Sequence, residues 1–477
     1  MRNQYDLIVV GSGFASTFFL YQYLLKSKKT AKVLVLERGH LFSYKDRLKD
    51  LAGEIIPSSR LNPQPHETYT NKNTEKNWAF TVGFGGSSNC WYGCTPRFLP
   101  SDFRMQTLYG VGQDWPVQYD ELEPYYTAVE KMMNISGPDV TPFPKSTTYP
   151  LPPHRFSTVD RILKKAYGQL YIEQPTARAS VAVRGRNACC ASAVCAVCPV
   201  NAKFTIENSN LGAYEDERVE LVYGAHVYSV ELAGNTARSV HFVKDGKEYS
   251  ITGEVIALGA NAIFNANILL NSNDNNVLTG KGLGEQLGLD ALVYLDGLDN
   301  VGGSTWVTAN GYMLYDGDHR RDYAACLMES NNAPFLRLES GKWRQIATFR
   351  MIFEGIPMAE NYVSNSADRL KPETHFKGHS EYTWKAVKRM KEKLPSILNC
   401  LPVEKIEYLD PFKTEAHILG TTGMSKDVKS GVVDKNLIHH QYRNLFVLGS
   451  GSFTTFSPNN PTLTLAALSL LAVDRTF

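Results

Sequence analysis

The chain opens on an apolar run, Tyr5-Asp-Leu-Ile-Val-Val10, that is broken by Gly11-Ser12-Gly13-Phe14-Ala15-Ser16. Aliphatic and β-branched residues with little polar alternation suit a strand buried on both faces, as in a parallel sheet. From Thr17 to about Lys26 the pattern predicts a helix, and Lys32-Val-Leu-Val-Leu36 predicts a second strand ending at Glu37. Glycines at 11 and 13 permit a tight turn and close approach of a pyrophosphate to the helix N-terminus, where free N–H groups and the dipole favour an anion. Ser16 replaces the third glycine of such a fingerprint but is small enough for helix and strand to pack closely. Glu37, about 20 residues beyond the turn, is placed to bind ribose hydroxyls. An acid there favours the free ribose of FAD or NAD over NADP. A glycine pair alone is often a plain βα turn, and it is the ordered strand, turn, helix, strand and acid that point to a dinucleotide. The longest nearly apolar stretch, Leu463 to Val473, falls short of the roughly 20 residues that cross a bilayer, so no membrane span is expected.

Composition narrows the function class. The 477 residues exceed one small domain, and 43% hydrophobic with 21% charged residues exclude wholesale disorder. Lys+Arg 50 against Asp+Glu 48 leaves no electrostatic footprint for nucleic acid, so a small molecule is the expected partner. Lys385, Lys388, Arg389, Lys391 and Lys393 fall at helical spacing and read as a solvated face. No targeting pattern opens the chain, which gives a cytoplasmic location as the expectation, with export alongside a partner subunit left open. The eight cysteines do not form a disulfide scaffold, yet Cys189, Cys190, Cys195 and Cys198 crowd together, and crowding of thiols points to chemistry.

Further motifs select among dinucleotide enzymes. These are Thr81-Val-Gly-Phe-Gly85-Gly86-Ser87-Ser88-Asn89-Cys90-Trp91, Thr95-Pro-Arg-Phe98, Asp114-Trp-Pro116, His417-Ile-Leu-Gly420-Thr421, Gly431-Val-Val-Asp434, Gly449-Ser450 and Asn460-Pro461-Thr462-Leu463-Thr464. Together they resemble the glucose-methanol-choline (GMC) family of FAD-dependent oxidoreductases, with the Gly-Gly-Ser-Ser-Asn-Cys-Trp and Asn-Pro-Thr-Leu-Thr segments similar to the branch of pyranose oxidase and the gluconate and FAD-glucose dehydrogenases.

The resemblance implies an α/β chain. A Rossmann-like FAD-binding domain would be assembled from discontinuous segments, residues 1–293 and a C-terminal return at 410–477, with a cysteine-rich insertion at 185–205. An α+β substrate domain with an antiparallel sheet would occupy 294–409 and contain the landmark Phe353-Glu354 to Val363. The FAD would contact Gly11, Gly13, Ser16, Glu37 and Arg38; Gly85, Gly86, Ser87, Asn89 and Cys90; Val227 and Gly259; and Gly449, Ser450, Pro461 and Thr462. It is expected to be held without a covalent bond, because Cys90 stands where relatives carry a flavin-linked histidine.

Alcohol oxidation needs a base for the hydroxyl proton while hydride leaves carbon for the flavin, a task suited to neutral histidine. His417 occupies the family position for that base and Asn460 that of its amide partner. A strand-end histidine is more often satisfied by a backbone carbonyl, and only the motif around His417 favours the base. His439 and His440 are adjacent, point to opposite faces, and read as surface-loop residues. Cys189, Cys190, Cys195 and Cys198 resemble the iron–sulfur segment of FAD-glucose dehydrogenase subunits, though the final gap is one residue shorter; zinc and a redox-silent loop stay open as readings. With a cluster, electrons would leave to a heme protein, quinone or dye, and the enzyme would be a dehydrogenase rather than an oxidase. The expected substrate is an alcohol group of a sugar or glycoside. A steroid or aliphatic alcohol, a non-redox lyase that keeps FAD structurally, and an electron-transfer or assembly subunit are the alternatives.

Overall fold

The computed structural model describes residues 1–56, 62–332 and 335–477. The first strand, Gln4–Val10, is paired in parallel with Val33–Leu36 on one side and Lys247–Leu258 on the other. Leu7 to Val9 and Val33 to Val35 are fully buried, as the unbroken apolar runs require. Val219–Val222 extends the sheet beyond Val33–Leu36, and an antiparallel meander of His226–Ala233 and Thr236–Lys244 extends it beyond Lys247–Leu258. Leu445–Val447 also pairs in parallel with Lys247–Leu258, which brings the C-terminal segment back to the first sheet. The helices Phe14–Lys26 and Thr462–Asp474 then pack on each other against this sheet. The predicted first helix starts a turn earlier than its apolar pattern suggested, with Gly13 as its N-cap.

A second sheet is antiparallel throughout, in the order Val403–Tyr408, Leu287–Leu295, Ile346–Phe353, Cys326–Asn331, Val307–Leu314, Tyr171–Glu173. It reaches outside the expected 294–409, taking its outermost strand from Tyr171–Glu173 and beginning its longest pairing at Leu287. Each long strand alternates. Leu287, Leu289, Ala291 and Val293, with Cys326, Met328, Phe349 and Met351, turn one face onto Val159, Leu163, Ala386 and Met390 of the flanking helices. The opposite face carries the cross-strand row Asn310, Glu329, Arg350, Asp290. The basic residues Lys385 to Lys393 lie exposed on the helix Glu381–Ile397, as their spacing predicts. Among the described residues no helix is long and apolar enough to cross a membrane.

One buried ion cluster joins the segments around the cavity. Arg320, fully buried, binds Asp102 Oδ1 at 2.9 Å and Glu354 Oε1 at 2.6 Å. Asp102 Oδ2 in turn accepts from Tyr315 Oη (2.7 Å) and Ser457 Oγ (3.0 Å), so the second sheet and the loop before the last helix share one anchor. Removing the guanidinium leaves two carboxylates buried without their cation. Arg320→Leu is expected to lower unfolding stability by about 3–5 kcal/mol, the usual cost of breaking a buried pair. Urea denaturation of the flavin-loaded protein checks this, and a loss below about 1 kcal/mol would show that the cluster is not the anchor.

Candidate active site

A cavity of about 560 Å³ lies between the two sheets, lined by residues of both. Its narrow floor is set by glycine. Gly11 adopts φ +87°, and a Cβ there would sit 2.6 Å from the Gly259 carbonyl oxygen. A Cβ on Gly259 would meet Ser16 Oγ at 2.1 Å, so the two glycine turns and the first helix are pressed together with no room for a side chain. The helix Phe14–Lys26 has no side-chain cap, and Gly13, Phe14 and Ala15 line the cavity. Its first N–H groups are therefore available to an anion. Glu37 Oε2 accepts from Ser12 N–H (3.1 Å) and Ser12 Oγ (2.6 Å), and Glu37 Oε1 from Gly39 N–H (2.9 Å). The carboxylate is thereby aimed along the cavity wall with lone pairs to spare.

Most of the expected cofactor contacts converge here. Gly11, Gly13, Glu37, Arg38, Gly86, Ser87, Cys90, Val227, Gly259, Gly449, Ser450, Pro461 and Thr462 all line the cavity. Ser16, Gly85 and Asn89 do not: Ser16 is buried behind Gly259, Gly85 N–H donates to Ser12 Oγ at 3.1 Å, and Asn89 Nδ2 closes its own turn on Phe84 O at 2.9 Å. They shape the wall rather than face the ligand. Arg38 is the strongest sign of a missing polar partner. Its guanidinium lies 4.8 Å over the Phe264 ring, Nη1 is buried with no partner, and burial pushes its pKa down to about 10. An orphaned buried donor on a cavity with glycine turns and a free helix N-terminus fits a dinucleotide.

His417 and Asn460 line the same cavity. The loop before His417 is tied down by a buried Lys76–Glu285 ion pair, and Glu285 Oε2 accepts from Thr414 Oγ1 (3.1 Å) and Glu415 N–H (3.2 Å). Ala416, next in the chain, sits at φ +60°, a left-handed conformation that a non-glycine residue adopts only when its surroundings impose it. Gln286 then decides the protonation of His417. Its Nε2 donates to the carbonyls of Ser457 (2.8 Å) and Asn459 (3.2 Å), which turns Oε1 toward His417 Nδ1 at 3.1 Å. An amide oxygen only accepts, so Nδ1 carries the hydrogen and Nε2 keeps its lone pair. Burial and the nearby Arg350 cation push the imidazole down to about 4. His417 is thus a neutral base of defined tautomer, and the same amide links it to the Asn459-Asn460 loop.

Gln286 is absent from the motif reading, because a lone glutamine at a strand entrance carries no pattern. Cys326-Leu-Met-Glu-Ser-Asn331 passes from three apolar to three polar residues with all six buried, so no periodic pattern marks Glu329 in the sequence. One expectation is corrected. His439 is fully buried rather than on a surface loop: its Nδ1 accepts from Gln441 N–H at 3.2 Å, leaving Nε2 3.3 Å from Asp274 Oδ2. The four cysteines expected to act together are not gathered around one point. Among the described residues no three His, Cys, Asp or Glu side chains are grouped to hold a metal. Cys190 is exposed, while Cys195 is buried 3.8 Å from Arg178, Cys189 faces Thr305 at 3.7 Å, and Cys198 accepts from Ala202 N–H at 3.2 Å. The segment touches the cavity only through Ala196.

Residues 359–469 match the C-terminal family model described as GMC oxidoreductase. Nearly the whole chain, 98%, aligns at 25% identity with 97% of the fructose dehydrogenase large subunit of Gluconobacter japonicus. A further 23% identity covers 82% of the chain and 80% of the 2-methyl-1,2-propanediol dehydrogenase of Mycolicibacterium austroafricanum. The fold matches pyridoxine 4-oxidase from Mesorbium loti with a TM-score of 0.70 at 17% identity, over 99% of both chains. These matches make the chain similar to GMC oxidoreductases at its C-terminal end and to members of that family over its whole length. That likeness supports FAD as the cofactor and an alcohol group as the site of reaction. The glycine floor, Glu37 and Arg38 are the groups that would hold FAD, and His417 and Asn460 line the same cavity.

Gln286→Leu should keep FAD and lower the rate of flavin reduction by about a hundredfold, the scale expected when a reacting group is displaced by 1 Å. The comparison belongs at pH 8, where His417 is neutral in both proteins. The wild-type acid limb should fall near pH 4, below the ordinary histidine range, because protonation removes the base only there. A limb near 6.5 with an unimpaired Gln286 variant would refute this arrangement.

Proposed function

We propose that this protein is a GMC enzyme that oxidises a hydroxyl of a sugar or related polyol and delivers the electrons to an acceptor other than oxygen. The observation that carries the reading is the cavity that His417 and Asn460 line, where Glu329, Asn331 and Arg350 face the same space as the Tyr92 and Trp306 rings, whose centroids are 5.9 Å apart. Polar side chains that end in different donors and acceptors, next to flat aromatic walls, suit a molecule with several hydroxyls on an apolar ring. Bound FAD supplies the acceptor for the hydride. The protein does the rest: His417 Nε2 takes the hydroxyl proton, the Asn460 amide binds the same oxygen, and the alcohol carbon becomes a carbonyl as its hydride leaves.

The fructose dehydrogenase large subunit supports both the sugar and an acceptor on a partner polypeptide. The reading routes no electrons through the cysteine segment, whose thiols are held by separate partners. It includes a flavin bound without a covalent link, because the Cys90 thiol is turned onto its own turn at Ser87 O (3.6 Å).

Anaerobic mixing with sugars, steroids, aliphatic alcohols and cyanohydrins tests the reaction. Sugars should bleach the flavin fastest, and His417→Ala should slow bleaching by about a hundredfold to ten-thousandfold while FAD stays bound. Reoxidation should be faster with a quinone dye than with oxygen. Cyanohydrin cleavage without bleaching would refute an oxidoreductase role, and a steroid preference would refute the polyol. Acid precipitation should leave the yellow flavin in the supernatant, and a coloured pellet would show covalent attachment.

A further inference from the structure

Glu329 has no part in the proton and hydride steps, yet it is among the most unusual groups on the cavity wall. It lies in the middle of Cys326–Asn331, on the face opposite the apolar core of the second sheet, with Asn310 and Arg350 directly across from it on the neighbouring strands. Arg350 is engaged elsewhere: its Nε binds Asp290 Oδ1 at 3.1 Å and its Nη1 reaches Glu415 at 3.7 Å. Glu329 is 4% exposed, and its Oε1 has no hydrogen-bond partner. Asn460 Oδ1, on the same cavity wall, is also buried and unpartnered. Buried polar atoms are costly to leave unsatisfied, and two of them on one cavity wall point to a ligand that satisfies them.

We propose that Glu329 is the specificity-determining residue of this site, its carboxyl binding a second hydroxyl of the substrate next to the one that His417 deprotonates, so that vicinal diols and polyols are preferred over mono-alcohols. The inference rests on the alcohol-oxidising reading above. Burial pushes the Glu329 carboxyl up to about 7, against the pull of Arg350, Arg178 and Asn460. Near neutrality the group is therefore present in both forms, able to accept a hydrogen bond from a hydroxyl or to donate one. A neutral hydroxyl matches this better than a cation, because Arg350 stands beside it in the row.

The test compares a vicinal diol with its matched mono-alcohol, such as 1,2-propanediol with 1-propanol, in the flavin-loaded enzyme. Wild type should prefer the diol in kcat/KM. Glu329→Ala should lower the diol value by about tenfold to a hundredfold and leave the mono-alcohol within about twofold, the signature of one lost polar contact. Glu329→Gln, which keeps shape and hydrogen bonding, should retain part of the preference. Binding gives an independent readout: in a His417→Ala background, flavin difference spectra should show tighter binding of the diol, and adding Glu329→Ala should abolish the difference. An unchanged preference, an equal fall for both alcohols, or a preference for 1-amino-2-propanol over the diol would overturn the proposal. Wild-type turnover of both alcohols without preference refutes the role of Glu329 alone. Failure of every alcohol, sugars included, to reduce the flavin refutes the underlying reading as well.

Discussion

The pairing of Arg320 with Asp102 and Glu354 is the interaction on which the site depends. All three groups are buried: Arg320 comes from the loop after Val307–Leu314, Asp102 from the segment after the Gly85-Gly86 turn, and Glu354 from the end of Ile346–Phe353. A charge in that position is tolerated only when every partner is in place, so the cluster acts as an all-or-none lock between the two sheets. Through Ser457 on Asp102 it also sets the loop that carries Asn459 and Asn460. Two more tethers act on the same loop: Gln286 on the carbonyls of Ser457 and Asn459, and Asn459 Nδ2 on Arg97 O at 2.6 Å. The catalytic end of the chain is therefore held from three directions before any ligand arrives, which is the condition for a base to meet its substrate without reorganisation.

The two sheets divide the work. The parallel sheet is apolar on both faces and contributes only its strand ends, where glycine turns and a helix N-terminus leave backbone N–H groups for a phosphate. The antiparallel sheet has one apolar face packed by helices and an inner face on which a polar row lies beside an apolar cluster of Ile172, Tyr312, Leu327 and Ile352, so that Glu329 and Arg350 reach the cavity. The proposed base belongs to neither sheet. His417 follows a loop strained at Ala416 and gains its neutral state from burial beside Arg350, its tautomer from Gln286. Charge and proton position are thus set by different neighbours.

Local patterns were sufficient for the first strand, the turn at Gly11 and Gly13, the second strand and Glu37, because strand burial and helix dipoles act over a few residues and leave a mark in the order of residue types. The solvated lysine face of Glu381–Ile397 was legible in the same way, whereas His417 and Asn460 were singled out by the resemblance of their motifs to a family, and the structure brings both to one cavity. Tertiary structure alone decided what depends on residues far apart in the chain. Gln286 orients a histidine 131 positions away. Ser16 serves as a spacer for Gly259, His439 is buried on Asp274, and the crowded cysteines go to separate partners. The reason is physical: periodicity reports which face of an element is buried, whereas the partner of a buried polar group is chosen by how the elements dock. Glu329 shows this. Its strand carries no polar alternation that would mark it, and only the docking of the second sheet against the His417 loop placed it on the cavity wall.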